Sequence, residues 1–134
     1  MRLEGVLEVP ITWFRDGLGR IRPAQICACS SGEFEHLLFQ AWSRGWSVIT
    51  LLLHSFELLR RRSPERAQTT MRLHDHRLVR LCRLLAAHSD KFVTTTFREL
   101  EVEKIGAPVA PRCLRSPLGR TIRRYGEQAI GRIW

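Results

Sequence analysis

The sequence lacks most of the features that announce a function. No apolar run approaches the ~18 residues that a membrane-crossing helix needs. Met1-Arg2-Leu3-Glu4 leads straight into a strand pattern, without the apolar core of a signal peptide. Cysteine is sparse: Cys27, Cys29, Cys82 and Cys113 make no Cys-x-x-Cys and no second pair, which argues against a zinc ribbon or a disulfide framework. Small buried fillers in a reducing interior are the simpler reading, and the expected location is cytoplasmic. Lysine is nearly missing, with only Lys91 and Lys104 among 22 basic residues. Tyr125 is the one tyrosine, and aromatics are not interleaved with the arginines around it. Base-stacking platforms need that interleaving, so nucleic acid is not an expected partner. No internal repeat is visible.

What is present is a chain of 134 residues, 44% hydrophobic, enough for one core of ordinary quality. Its net charge of +9 is unevenly placed: residues 1–59 carry five basic and six acidic side chains, residues 60–134 seventeen and seven. Such asymmetry can mark a surface for an anionic polymer or membrane. An arginine excess also arises from coding composition alone, with no function attached.

The chain is organised around Val48-Ile49-Thr50-Leu51-Leu52-Leu53-His54-Ser55-Phe56-Glu57-Leu58-Leu59. A short apolar run ending at a histidine reads as a strand covered on both faces. His54 then sits where the strand delivers its carboxyl end to solvent, the edge at which parallel α/β folds collect binding and catalytic groups. The plain alternative is that His54 caps the strand and bonds a loop.

Taken in order, Leu3 to Thr12 reads as a strand, with Pro10 at its edge or end. Trp13 to Pro23 holds Asp16-Gly17 and Gly19, turn chemistry that allows a hairpin but reads better as a loop over strand ends. Ala24 to Ser30 is a second strand, on which Cys27 and Cys29 face the same way. Ser30 and Glu33 have the spacing of a capping box, opening a helix to about Arg44 whose apolar face is Phe34, Leu37, Leu38 and Ala41. Gly45 ends it. Arg60-Arg61-Arg62-Ser63-Pro64 is a loop. A helix follows from about Thr70 to His88, with Leu73, Leu78, Leu81, Cys82 and Leu85 inward. Lys91 to Thr96 is a last strand, and Phe97 to Glu103 begins a further helix. Past Gly106, Pro108, Pro111 and Pro117 break the pattern. Leu118, Ile122, Tyr125, Ala129 and Ile133 share one helical stripe, but Gly119, Gly126 and Gly131 each weaken a helix by ~1 kcal/mol. A loosely ordered basic tail with a short amphipathic helix is expected over 106–134, with docking on a membrane surface as its lesser alternative.

Gly5-Val6-Leu7-Glu8-Val9-Pro10-Ile11-Thr12, then Leu51 to Leu59, then Thr94-Thr95-Thr96-Phe97-Arg98-Glu99-Leu100 resemble, in order and rough spacing, the closing half of polysaccharide deacetylase-like proteins. The resemblance covers about residues 3–100. It implies a distorted (β/α) barrel and metal-assisted removal of an acetyl group from an amino sugar. His54 matches the family's late histidine, a general acid that protonates the departing amine. An imidazole suits that task because its proton affinity lies near neutrality. Glu8, which alternates to the opposite face from Leu7 and Val9, is the second candidate catalytic residue. Glu57, like Glu8, could orient His54 or contact a sugar hydroxyl, and is assigned as a candidate substrate contact, although a solvated surface carboxylate is its ordinary status.

The sequence departs from that family where the metal should sit. The early Asp-Asp pair and His-x-x-x-His pair are missing, and His36, His54, His74, His76 and His88 do not supply the spacing. His74 and His76 diverge by ~200° on a helix and cannot share an ion there. No metal ligand is therefore assigned in this chain, and a zinc-like divalent cofactor is expected only for a complete family member. A closed barrel takes ~250 residues. The expected fold is accordingly α/β: a partial (β/α) barrel over residues 1–105, about four mostly parallel strands with flanking helices and a basic tail. Such a piece would be inactive alone: a truncated product, a mis-annotated start, or one half of a split protein whose missing amino-terminal half or partner subunit supplies the metal, taking carbohydrate as substrate when complete. The competing expectation is a small basic α/β module that binds an anionic polymer or a protein partner.

Overall fold

The computed structural model describes residues 2–3, 6–60, 69–70, 72–101, 105 and 113–133. Two short strands, β1 (Arg2–Leu3) and β2 (Val6–Leu7), pair antiparallel with each other. Next come β3 (Trp13–Arg15), β4 (Ile21–Pro23) and helix α1 (Ser31–Ser43). A 3₁₀ turn over Ser55–Leu58 leads into β5 (Leu59–Arg60), which pairs with β6 (Thr69–Thr70). Helix α2 (Arg72–Ala87), strand β7 (Leu114–Arg115) and helix α3 (Leu118–Ile133) complete the order.

The expected partial barrel is not what forms. In its place is a small α/β domain whose main sheet has three strands in the order β4-β3-β7, antiparallel on one side and parallel on the other. The local chemistry explains the difference. Residues 13–23, expected as a loop, are a hairpin registered Phe14 to Arg22, because Asp16 builds the turn. Asp16 Oδ1 accepts from the Leu18 and Arg20 N–H groups, both at 3.0 Å, and Gly19 takes the positive φ of +80° that the turn requires. The strand expected over Leu3–Thr12 is broken, since β1 and β2 fold onto each other. Val48–Leu53 is extended but only half-covered. It meets the 24–26 segment in a single parallel bridge, Gln25 to Leu52, rather than in a ladder. Residues 26–28 turn away, so Cys27 and Cys29 do not lie on a strand. Residues 92–96 are irregular, and 97–99 form a turn with no helix begun through 101. The Arg61–Pro64 part of the expected basic loop lies outside the described residues.

α1 forms where the sequence places it. The Ser30 hydroxyl accepts from the Glu33 N–H at 3.2 Å, and Glu33 Oε2 accepts from the Ser30 N–H at 3.0 Å, satisfying two end groups reciprocally. At the other end Gly45 takes φ +70°. Its N–H bonds Trp42 O, and the Trp46 N–H bonds Ala41 O, each at 3.0 Å. Phe34, Leu37, Leu38 and Ala41 then meet Phe14, Ile26, Leu81 and Leu114 in the core. Phe14 and Leu114 are register partners across β3 and β7, which brings distant parts of the chain onto one apolar face.

Behind that core lies an ion cluster. Arg124 of α3 is fully buried, donating to Asp16 Oδ2 at 2.9 Å and Glu33 Oε1 at 3.0 Å. Ser116 and Thr121 hydroxyls donate to the same Glu33 oxygen at 3.3 and 3.2 Å. The 118–133 segment, expected as a loose tail, is therefore a helix tied in by polar groups. No helix among the described residues is long and apolar enough to cross a membrane.

Arg124→Met leaves two carboxylates buried without a counter-ion and should cost about 3–5 kcal/mol in urea unfolding. Burial raises the Asp16 pKa, but Arg124 and the Arg20 and Leu18 N–H groups outweigh it and leave the net value below the ordinary 3.8. The stabilisation from Asp16 is thus complete above 3.8 and is lost as pH falls through the lower folded value, a step that Asp16→Asn should remove from acid unfolding curves. Gly17 sits against α3, where an added Cβ would overlap backbone atoms of Leu118. Gly17→Ala should therefore lower the urea midpoint by the equivalent of about 1–3 kcal/mol.

Candidate active site

Three segments converge beside His54: the turn at 25–28, the carboxyl end of the 50–53 segment, and the 3₁₀ turn that follows it. That turn forms because the Glu57 N–H bonds the His54 carbonyl at 2.9 Å. It folds the Glu57 side chain back over His54. Oε1 of Glu57 then lies 3.3 Å from His54 Nδ1 and accepts from the Cys27 thiol at 3.2 Å and from the Gln25 amide. Oε2 accepts from the His54 backbone N–H at 3.3 Å. The Glu57 side chain is 11% exposed and the His54 side chain 44%. The carboxylate is thus an internal anchor, while the imidazole is open to solvent.

Burial alone would raise the Glu57 pKa. The donors from Cys27, His54 and Gln25 outweigh it, and the carboxyl sits below its ordinary 4.5. The Cys27 thiol moves the other way, pushed to about 11 by burial first and by Glu57 second. It is a protonated donor near neutrality rather than a nucleophile. Cys29 is pushed to about 12 by burial and belongs to the core.

A second layer fixes the turn. Arg77 of α2, fully buried, donates to the carbonyls of Cys27 at 3.0 Å and Ile26 at 3.5 Å. It also pairs with Glu127 of α3 at 3.0 Å. His74 Nδ1 donates to the Glu57 carbonyl at 2.6 Å. Phe56, largely exposed, stacks on the His54 ring with centroids 5.0 Å apart. The result is a solvent-facing imidazole with one nitrogen oriented and an aromatic face beside it.

Of the residues the sequence pointed to, His54 and Glu57 meet directly. Glu8 lies exposed on the irregular segment after β2. His74 and His76 do not converge, since His74 is turned to a carbonyl and His76 is exposed. Among the described residues no group of three or more His, Cys, Asp or Glu could hold a metal ion.

Gln25, Cys27, Arg77 and Glu127 were not singled out from sequence. Arg77 left a trace there, four residues from both Leu73 and Leu81 on the inward stripe of α2, where a charge demands a buried partner. Gln25 and Cys27 left none, because a strand pattern hides the turn that carries them. Cys82, expected inward, is exposed. Comparison with protein-family models, curated proteins and solved structures finds no match to this chain.

At about pH 8, iodoacetamide should modify exposed Cys82 and Cys113 well before Cys27. Glu57→Gln removes the hydrogen-bonded charge that favours the Cys27 thiol, so peptide mapping should show its alkylation accelerated several-fold, while Cys29 stays unreactive.

Proposed function

We propose that this chain provides the sugar-binding and proton-donating side of a hydrolytic site for N-acetylated amino sugars, as in the polysaccharide deacetylase-like proteins it resembles. The observation that supports the reading is the setting of His54. Glu57 holds Nδ1 at 3.3 Å, which fixes the tautomer and the direction of the ring and leaves Nε2 to face a substrate. In that role the protonated ring gives the Nε2 proton to the amine nitrogen as the amide C–N bond breaks. Phe56 offers the apolar face on which a sugar ring stacks, and the sugar's hydroxyls meet polar groups at the rim.

The described residues do not fit a divalent ion of their own. No set of ligands converges, Glu57 Oε1 is already occupied by three donors, and the Cys27 thiol stays protonated near neutrality. No metal-dependent step is assigned to this chain, and the groups that activate the acetyl carbonyl belong to a partner. The barrel that the resemblance implied is not part of the proposal.

The test is direct binding of a chitin-derived N-acetylglucosamine oligomer, followed by NMR at the His54 and Phe56 rings. Binding should shift both sets of resonances, and Phe56→Ala should weaken it about three- to tenfold, the worth of one aromatic contact. Phe56 is mostly exposed, so its removal leaves the core intact. Unmoved ring resonances at oligomer concentrations of about 10 mM would overturn the reading.

A further inference from the structure

α3 is amphipathic in the opposite sense to a helix that packs on a core. Its inward face is polar: Thr121 and Arg124 are fully buried. Its apolar stripe faces water, with Leu118, Tyr125 and Ala129 exposed and Ile122 60% exposed. A contiguous apolar strip in solvent marks a surface meant to be covered. The strip extends onto the β3–β4 turn. The Gly17 N–H donates to Thr121 Oγ1 at 2.9 Å and Arg20 Nη1 donates to the Tyr125 hydroxyl at 3.3 Å. Those bonds lay the turn along the first turns of the helix, and Leu18 and Ile21 of the same hairpin are also exposed.

The charges around the strip decide its partner. Arg20 borders it on the hairpin side and Arg123, exposed, on the other, while Arg15 and Arg115 are exposed on the adjoining strands. The nearby carboxylates are all engaged: Asp16 and Glu33 share the buried Arg124, and Glu127 pairs with Arg77 and Arg123, so these three acidic and three basic groups balance one another. Beyond that balance, exposed Arg15, Arg20 and Arg115 leave the apolar centre with a positive rim. A second copy of the chain is a poor occupant, because it would bring together two surfaces of a protein that carries +9.

We propose that this strip docks on an anionic lipid bilayer. α3 lies in the plane of the interface, with Leu118, Ile122 and Tyr125 below the headgroups and Arg20 and Arg123 against lipid phosphates. With 16 residues the helix is about 24 Å long and too polar on its inner face to insert across the bilayer. The apolar depth and the anionic charge are both needed, since either alone gives only marginal attachment.

The experiment is flotation of the whole protein with phosphatidylcholine vesicles, with and without about 30% phosphatidylserine. The protein should bind the anionic vesicles at least about tenfold more tightly, and raising the salt from about 0.1 to about 0.5 M should release it. Arg123→Gln should weaken binding about fivefold, the worth of one arginine near the surface. Leu118→Ser/Ile122→Ser should weaken it at least about tenfold. Those side chains point into solvent, so circular dichroism and the urea midpoint should not change. Equal binding to both vesicle types, no binding to either, or full binding by the double variant would overturn the proposal. A dimer in sedimentation that the double variant converts to monomer would also overturn it, assigning the strip to self-association.

Discussion

A single guanidinium closes this fold. Arg124 reaches from α3 to Asp16, which shapes the β3–β4 turn, and to Glu33, which caps α1. Each carboxylate has a local task that its own segment could perform in isolation. Their shared counter-ion makes the hairpin, the first helix and the last helix one cooperative unit. A buried ion cluster of this kind contributes less net stability than apolar side chains of the same volume. Removing any one of the three charges, by contrast, strands another in the interior. The apolar core of Phe14, Phe34, Leu38 and Leu114 supplies the driving force, and the ion cluster joins the three segments around it.

The candidate site follows the same pattern on a smaller scale. Glu57 gathers donors from the 25–28 turn and from His54, so its carboxylate is fully used in holding the imidazole. Arg77 then ties that turn to α3 through Glu127. α3 is therefore fastened to both halves of the molecule by charge, through Arg124 to the hairpin and α1, and through Glu127 to the site. Having its polar groups engaged inward is what leaves its apolar residues outside.

How much of this could be read from the sequence depends on how local the determining interaction is. The α1 boundaries, its capping box and its glycine stop were legible because each rests on residues within four positions. His54 and its neighbour Glu57 were legible for the same reason, three apart at the end of an apolar run. The sheet was not. β3 and β7 pair across most of the chain, and a two-residue strand such as Leu114–Arg115 has no periodicity to detect. The hairpin is ambiguous in the sequence because Asp16-Gly17 and Gly19 suit a loop over strand ends as well as a tight turn, and the bond from the second Asp16 oxygen to Arg124 leaves no local sign. The stripe of α3 is visible in the sequence, but its glycines point to a loose tail rather than to a helix tied to the core. Hydrophobic patterning identifies the two faces of a helix, and only the buried partners of Thr121 and Arg124 show which one the protein uses.

The ion pair between Asp16 and Arg124 links positions 108 apart in the chain. Closing so long a loop is entropically unfavourable until the contacts at its ends exist, so such topologies form late. During translation, a nascent chain that has emerged only through α2 would hold the hairpin turn and the capping box with their carboxylates unopposed. The bonds from Arg124 that join the hairpin to α1 require the first two turns of α3 to have been made. A chain that ends at α2 lacks Leu114, so Phe14 and Phe34 keep apolar surface uncovered until the rest is made.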